Sequence, residues 1–309
     1  MFATIDIGTN SVLLLVAELE ADGSVRVFED RTEVTRLGRG LGKSGEISSE
    51  SARRTIDTLR RYKQLCDENN ASCVAAVGTA ALRKASNAAE FSRRVREELG
   101  IEIEVISSER EAELTYRGSA RDFGSSIAVM DIGGGSTELI ARRRDPHGEL
   151  PGLNMVSLPI GSVSLTEAWL HSDPTSHEEL HNLRAAIHAV LEENVDPSMF
   201  SRPNDLAFVA TAGTATTLMS MHLKLRRYKP EAVHGAKLKI SDLRDIIDEI
   251  LPRTVEERKL IPGLMPERAD VILAGAELLH DAMSYLGYAE VTISDRGVKW
   301  GLFYEKFCA

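Results

Sequence analysis

Two short segments of the chain carry similar residues in the same order and are the first candidates for chemistry. Residues 3–11 read Ala-Thr-Ile-Asp-Ile-Gly-Thr-Asn-Ser, and residues 128–136 read Ala-Val-Met-Asp-Ile-Gly-Gly-Gly-Ser. In each, an apolar run typical of a buried strand reaches an aspartate, Asp6 or Asp131, and then a glycine-containing turn. Glycine lets backbone N–H groups approach an anion closely, and a carboxylate at a strand end can hold a hard cation beside it. The repeat therefore predicts two loops that grip a phosphate chain and Mg²⁺ from both sides of a cleft.

The second segment has the more specific pattern. Three consecutive glycines, Gly133 to Gly135, separate two apolar runs, although a plain hairpin needs fewer. Close approach of the backbone to a ligand would explain them. Glu138 follows this turn as a further candidate for the same site, a surface glutamate being the alternative, and the predicted metal ligands are Asp6, Asp131 and Glu138. The predicted phosphate-binding residues lie at these two turns and at a third, Gly-Thr turn: Gly8, Thr9, Asn10, Ser11, Gly133, Gly134, Gly135, Ser136, Gly213 and Thr214.

Candidates for proton transfer and charge stabilisation lie between the two copies. Residues 107–113 open a helix with three carboxylates, Glu109, Glu111 and Glu113. One of them could accept a proton from an attacking water, although acidic residues in a first turn also simply complement the helix dipole. The residue types alone do not indicate which of the three carboxylates accepts the proton. Arg83 follows a strand-to-helix turn and could stabilise a transferring phosphoryl group, a surface ion pair being the alternative.

Strands and helices must bring these residues to a common edge, and the hydrophobic pattern predicts them in both halves of the chain. Three strands are expected within residues 2–33, followed by alternating helices and strands. Arg83 belongs to one helical stretch that ends at Gly100, and the helix with the three carboxylates begins at Ser107 or Ser108. The second half repeats this order, which predicts an α/β fold with mixed sheets flanked by helices.

The length of the chain suits two domains. We place them at residues 1–122 and 123–309, with the closing helix at 297–309 packing back on the first domain. No apolar run approaches the roughly 20 residues of a membrane span. Met1 leads directly into strand-like sequence, and the three cysteines do not form a metal-ligand pattern. These features predict a cytoplasmic protein with free thiols and no membrane partner.

The charge balance is acidic, with one local exception. The formal net charge of −10 argues against nucleic acid as a partner. Residues 224–239 nevertheless concentrate positive charge and could guide a polyanion, a solvated basic face being the alternative. The basic residues of this stretch are Lys224, Arg226, Arg227, Lys229, Lys237 and Lys239.

Taken together, these segments resemble the exopolyphosphatase / guanosine pentaphosphate phosphohydrolase family, within the sugar kinase, Hsp70 and actin superfamily. The resemblance spans nearly the whole chain, and the match at Asp-Ile-Gly-Gly-Gly-Ser-x-Glu is highly specific. The segments that carry it are residues 5–11, 78–83, 105–107, 131–138 and 212–214, with residues 233–235 and 268–275 as later motifs.

The resemblance implies two ribonuclease-H-like domains around a cleft and Mg²⁺-dependent release of orthophosphate from the end of inorganic polyphosphate. Mn²⁺ as a replacement for Mg²⁺ and a homodimer are further expectations. By its position in the segment Glu-x-Glu-Ala-x-Leu, Glu111 takes the place of the family's catalytic glutamate. Arg83 is the second predicted catalytic residue and would stabilise the transferred phosphoryl group. Family members often carry glutamate where this chain has Arg110. The chain resembles the short members, which have two domains and no additional C-terminal helical domain.

Three alternatives remain open. Guanosine pentaphosphate, with guanosine tetraphosphate as its relative, presents the same terminal phosphoanhydride as polyphosphate, so the residues do not separate these substrates. A kinase of the same superfamily would use ATP and a hydroxyl acceptor. A non-catalytic sensor of alarmones or polyphosphate would bind without releasing phosphate. The acidic set of Asp6, Glu111, Asp131 and Glu138 favours hydrolysis.

Overall fold

The chain forms two compact units. The computed structural model describes residues 1–145, 148–200 and 206–308, and the remaining residues of the predicted domains lie outside this part. Unit 1 contains Met1–Gly118 and Val298–Ala309, and unit 2 contains Ser119–Gly297. The closing helix thus belongs to unit 1. The domain boundary at residues 122 and 123 and the cleft between the domains stay predictions.

Each unit is built on one β-sheet. The strands of unit 1 are β1 (Phe2–Ile7), β2 (Ser11–Leu19), β3 (Val25–Val34), β4 (Val74–Gly78) and β5 (Ile103–Val105). They form a sheet with the order β3-β2-β1-β4-β5. The strands of unit 2 are β6 (Ile127–Ile132), β7 (Thr137–Asp145), β8 (Gly148–Leu158), β9 (Ala207–Thr211), β10 (Lys237–Lys239) and β11 (Glu290–Ile293). They form a sheet with the order β10-β11-β9-β6-β7-β8.

Helices connect and cover these sheets. In chain order they are α1 (Leu41–Ser44), α2 (Ser49–Glu68), α3 (Ala80–Lys84), α4 (Ala88–Leu99), α5 (Ser108–Phe123), α6 (Ser162–Trp169), α7 (His177–Asn194), α8 (Pro197–Phe200), α9 (Ala212–His222), α10 (Pro230–Val233), α11 (Ile240–Ile250), α12 (Val255–Arg258), α13 (Ile272–Leu286) and α14 (Val298–Phe307). Within the described ranges, no helix combines the length and the apolar character needed to cross a membrane.

The unit 1 sheet is covered on both faces, which explains the continuous apolar runs of its central strands. Leu14 and Leu15 are neighbours in β2 and point to opposite faces. Leu14 lies in a buried cluster with Leu59 of α2. Leu15 packs against Trp300 and Phe303 of α14. The closing helix therefore covers the face of the sheet opposite to α2.

Both sheets combine antiparallel and parallel pairs in the same order. β1 pairs antiparallel with β2 and parallel with β4, while β6 pairs antiparallel with β7 and parallel with β9. The third strand of each half, β3 or β8, continues the antiparallel part. This arrangement of two mixed sheets flanked by helices confirms the predicted fold class.

The helical stretch predicted up to Gly100 was wrong in one respect, because the structure divides it into α3 and α4. The helix is interrupted around Asn87, whose side chain forms hydrogen bonds with the backbone of Ile47. Ile47 N–H donates to Asn87 Oδ1 at 2.9 Å, and Asn87 Nδ2 donates to the Ile47 carbonyl at 3.0 Å. This contact joins residues far apart in sequence, so a local pattern does not contain it. The short elements α1, α8, α10, α12 and β10 are also additional to the prediction, because three or four residues show no periodicity.

Candidate active site

The first predicted loop connects β1 to β2 and is held by hydrogen bonds to the segment that follows β3. Gly8 N–H donates to the Ser11 carbonyl at 2.9 Å and closes the turn. The Asn10 carbonyl accepts hydrogen bonds from the N–H groups of Thr35 and Arg36, at 3.0 and 2.9 Å. The side chain of Asn10 is buried, and its Nδ2 has no hydrogen-bond partner in the part of the chain that the structure describes. A donor of this kind is suited to an anionic ligand.

The second predicted loop, between β6 and β7, has the same construction. Gly133 N–H donates to the Ser136 carbonyl at 3.0 Å. The carbonyls of Gly133 and Gly134 accept from the N–H groups of Ser162 and Val163 at the start of α6, at 3.0 and 2.9 Å. In both loops, carbonyl oxygens are thus engaged by the chain that follows the third strand. The two copies seen in the sequence are structurally equivalent turns, whereas their role in phosphate binding stays a prediction.

Asp131 lies in a row of polar side chains that crosses four neighbouring strands. On β7 its direct partner is Glu138, and on the parallel strand β9 it is Thr211. Ser157 of β8 lies opposite Glu138 and donates a hydrogen bond from Oγ to Glu138 Oε1 at 3.0 Å. Because directly paired residues of a sheet point to the same face, these four side chains form one polar row, Thr211–Asp131–Glu138–Ser157.

The polar row suits a divalent cation. Asp131 is 7% exposed and Glu138 is 1% exposed, so Glu138 is a buried residue and not a surface glutamate. Two like charges directly opposite each other destabilise a strand pair, and a cation beside them offsets that repulsion. Mg²⁺ typically binds one or two carboxylates and completes its octahedron with water and substrate phosphates. Among the described residues, no group of three or more His, Cys, Asp or Glu side chains is arranged to hold a metal ion. Two adjacent carboxylates match the number of protein ligands in an open site of this kind, and Mg²⁺ binding here stays a prediction.

Asp6 has different neighbours from Asp131. Its partners are Leu13 on β2 and Val77 on β4, both apolar, so no second carboxylate lies beside it in the sheet of unit 1. Asp6 is nevertheless buried, at 9% exposure. Its assignment as a metal ligand stays a prediction, and the two copies of the motif are not chemically equivalent.

Glu111 and Arg83 meet in unit 1. Arg83 Nη1 donates to Glu111 Oε2 at 2.5 Å and to the Ile106 carbonyl at 3.1 Å. Glu111 is buried, whereas Glu109 and Glu113 are exposed. The pKa of Glu111 is raised above its ordinary value because burial disfavours the charged form, and the nearby Arg83 opposes this effect without cancelling it. Glu111 is thus buried, lies beside Arg83 and has a raised pKa, as suits a group that accepts a proton.

Gly213 and Thr214 lie in the first turn of α9, where Gly213 packs against the buried side chain of Arg268. A Cβ on Gly213 would lie 2.1 Å from a terminal nitrogen of Arg268, so only glycine allows this approach. Burial lowers the pKa of Arg268 to about 10, which leaves the guanidinium charged at neutral pH. From α13, Gly275 approaches Thr214 equally closely, since a Cβ there would lie 2.6 Å from Thr214 Cγ2. In the sequence, Arg268 appears only as part of a motif, because nothing local shows that it packs against the Gly-Thr turn.

Comparison with known proteins decides the family. A sequence profile of the Ppx/GppA phosphatase family matches residues 15–308. The chain belongs to this family. It is 32% identical over 317 residues to exopolyphosphatase 2 of Mycobacterium tuberculosis, across 97% of this chain and 96% of that protein. The family predicted from the motifs is therefore confirmed, and membership makes the chain a phosphoanhydride hydrolase, as expected.

Solved structures of Ppx/GppA proteins have the same fold. The Aquifex aeolicus PPX-GPPA enzyme matches with a TM-score of 0.79 and 32% identity, across 99% of both chains. An exopolyphosphatase from Cytophaga hutchinsonii matches with a TM-score of 0.85 and 26% identity, across 98% of this chain and 96% of that one. These likenesses confirm the fold expected of the actin, Hsp70 and sugar kinase superfamily.

Proposed function

We propose that this Ppx/GppA phosphatase is an exopolyphosphatase, which hydrolyses the terminal phosphoanhydride of inorganic polyphosphate with Mg²⁺ as its cofactor. The observation that carries the proposal is the ion pair between the buried Glu111 and the half-buried Arg83, at 2.5 Å. A carboxylate whose pKa is raised by burial is a stronger base, and the arginine beside it supplies positive charge for a transferring phosphoryl group. The exopolyphosphatases among its relatives support inorganic polyphosphate as the substrate.

In this mechanism Glu111 orients the attacking water and accepts its proton. Arg83 uses Nη1 for Glu111 and for the Ile106 carbonyl, and a guanidinium has five N–H donors in all. Its remaining N–H groups would bind oxygens of the transferred phosphoryl group, where charge increases in the transition state. The Gly8–Ser11 and Gly133–Ser136 turns and the start of α9 would hold the phosphates through backbone N–H groups.

Asp131 and Glu138 would hold the metal ion, with Asp6 as the further predicted ligand. When bound, Mg²⁺ would neutralise phosphate oxygens and polarise the phosphoanhydride that is broken. Ser157 fixes one oxygen of Glu138 by its hydrogen bond. The same residues could hold Mn²⁺, which also prefers oxygen ligands. A homodimer remains part of the proposal as a family expectation.

The rest of a long polymer would follow the basic stretch at residues 224–239. Arg226 and Arg227 are exposed, and neither forms an ion pair within the described ranges, whereas Lys237 pairs with Glu290 at 2.8 Å. Tyr228 lies beside the two arginines and donates to Asp295 Oδ1 at 2.6 Å. Two arginines without a carboxylate partner in an acidic protein are suited to phosphates beyond the terminal one.

The end of β9 connects this stretch with the polar row. Asp295 follows β11, and the preceding Ser294 donates from its N–H to the Ala210 carbonyl of β9 at 2.8 Å. Ala210 is adjacent in sequence to Thr211, which belongs to the row. The hydrogen bond from Tyr228 to Asp295 therefore ties the basic stretch to the same edge of the unit 2 sheet.

Replacement of Glu111 by glutamine tests the proposal. We expect orthophosphate release from long-chain polyphosphate to fall by at least about 100-fold, because a general base contributes this much or more. Polyphosphate binding should change little, since glutamine keeps the size of the side chain. Glu113→Gln is the matched control, because Glu113 lies on the same helix and is exposed.

The assay compares long-chain polyphosphate with guanosine pentaphosphate, each with and without Mg²⁺. Faster release from guanosine pentaphosphate would replace the proposed substrate by its alternative. Tight binding of both substrates without any phosphate release would indicate the sensor. Ordinary turnover by the Glu111→Gln variant would remove Glu111 from its role.

A further inference from the structure

Thr211 is a buried hydroxyl residue for which the fold supplies no partner. It is 1% exposed, and its Oγ1 has no hydrogen-bond partner among the described residues. Thr211 also occupies the N-cap position of α9 without capping it, because its side chain makes no hydrogen bond to the first turn. A threonine at this position normally accepts a hydrogen bond from a backbone N–H of that turn. Within the described ranges the Thr211 hydroxyl thus neither has a partner nor caps the N–H groups of the helix start.

The Thr211 side chain lies on the same face of the sheet as the proposed metal ligand Asp131. Thr211 is in register with Asp131 in the parallel pair of β9 and β6, so both side chains lie on the same face of the sheet. A Cβ built on Gly297 would lie 3.5 Å from Thr211 Oγ1, which shows that Gly297 borders the hydroxyl with its backbone alone. Ala212 follows Thr211 as the first residue of α9, a helix of 11 residues whose first turn also contains Gly213 and Thr214.

The repeat shows that the fold does not need a hydroxyl at this position. In unit 1 the residue in register with Asp6 on the parallel strand is Val77, which is buried. Valine has the shape of threonine without the hydroxyl. The same strand position is therefore apolar beside Asp6 and polar beside Asp131, where the second carboxylate, Glu138, also lies.

We propose that Thr211 Oγ1 and the backbone N–H groups at the start of α9 together bind a phosphate oxygen of the substrate. This assignment rests on the proposed function and adds a residue to its phosphate site. A helix N-terminus attracts anions, and a hydroxyl that donates to a phosphate oxygen forms a charge-assisted hydrogen bond. Binding would give this buried hydroxyl the hydrogen-bond partner that it lacks among the described residues. The free energy of that hydrogen bond would therefore be gained only in the complex with substrate.

Thr211→Val and Thr211→Ser test the assignment, with Thr55→Val as the matched control. Thr55 is a second buried threonine whose Oγ1 has no partner in the described part of the chain, and it lies in α2 of unit 1. We expect Thr211→Val to weaken tripolyphosphate binding and to lower kcat/KM by about 10- to 100-fold, as for one hydrogen bond to a charged group. The melting temperature should stay equal or rise, because the substitution removes an unpaired buried hydroxyl. Thr55→Val should retain wild-type binding and turnover, and Thr211→Ser, which keeps the hydroxyl, should recover most of the binding that Thr211→Val loses.

Calorimetry with tripolyphosphate separates the failure of this inference from the failure of the proposed function. If the wild-type protein releases no orthophosphate from any substrate, the proposed function fails, while the binding comparison still tests Thr211. Equal binding by the wild-type protein and Thr211→Val would overturn the assignment. A raised Mg²⁺ requirement with unchanged tripolyphosphate binding would also overturn it, because the hydroxyl would then serve the metal ion. A loss of binding with a lowered melting temperature that Thr211→Ser does not restore would indicate a structural role and overturn it as well.

Discussion

Replacement of Ser157 by alanine tests whether the polar row prepares Glu138 for a metal ion. The Ser157 hydroxyl donates to Glu138 Oε1 at 3.0 Å, and Glu138 is 1% exposed, whereas Ser157 itself is exposed. A hydrogen bond to a charged group contributes about 1.5–3 kcal/mol, and loss of a partner that orients a metal ligand typically lowers metal affinity by about 10- to 100-fold. We therefore expect the half-saturating Mg²⁺ concentration to rise by roughly this factor.

The assay is orthophosphate release from polyphosphate, titrated with Mg²⁺ for the wild-type protein, Ser157→Ala and Ser157→Thr. Threonine retains the hydroxyl and suits a strand, so this variant should keep the wild-type Mg²⁺ requirement. At saturating Mg²⁺ the KM for polyphosphate should be unchanged in all three proteins, if Ser157 acts only through its hydrogen bond to Glu138. An unchanged Mg²⁺ requirement in a stably folded Ser157→Ala protein would refute the positioning of Glu138 by this bond.

Two further predictions concern the ion pair and the basic stretch. Arg83→Met removes the guanidinium whose charge and hydrogen bond lower the pKa of Glu111. The acid limb of the kcat/KM profile should therefore move to higher pH. The folded-state pKa of Glu111 lies above its ordinary 4.5, so the stability that Glu111 contributes is present below pH 4.5 and is lost as the pH rises. The melting temperature of Arg83→Met should therefore fall more between low and high pH than that of the wild-type protein. An acid limb at the wild-type pH would contradict the coupling of the two groups. Arg226→Ala with Arg227→Ala should raise the KM for long-chain polyphosphate but not for tripolyphosphate, whereas Lys237→Ala, which removes an already paired charge, should change neither. Equal effects on both substrates would exclude a role in holding the distal polymer.

The elements next to the repeated motif could be predicted well because they depend on local pattern. Three strands were expected within residues 2–33, and β1, β2 and β3 occupy this part of the chain up to Val34; α5 begins at Ser108, one of its two expected first residues. The three consecutive glycines lie in the turn between β6 and β7, and their approach to a ligand stays a prediction. Each of these features follows from periodicity, capping or turn chemistry within a few residues.

The features that could not be predicted depend on contacts between distant residues. Nothing in the local sequence marks Thr211, and only the register of β9 against β6 places it beside Asp131. Arg268 read as one residue of a late motif, and only the packing at the start of α9 brings it against Gly213. The resemblance to the family indicated Glu111 among the carboxylates of α5, but its contact with Arg83 appears only in the structure.

The two copies of the motif share the geometry of their turns and differ in the residues beside each aspartate, which suits the two different roles proposed for them. Both copies close the turn with the same Gly-to-Ser hydrogen bond and place a buried aspartate on the central strand. In unit 2 that aspartate has Glu138 beside it, as a metal site requires. In unit 1 the flanking positions of Asp6 are apolar, and the polar chemistry lies instead at Glu111 and its arginine partner. If only the copy in unit 2 holds the metal ligands, the sheet of unit 1 can remain apolar beside Asp6 while unit 1 supplies the general base. This division would explain why the two copies have the same turn geometry but different residues paired with each aspartate.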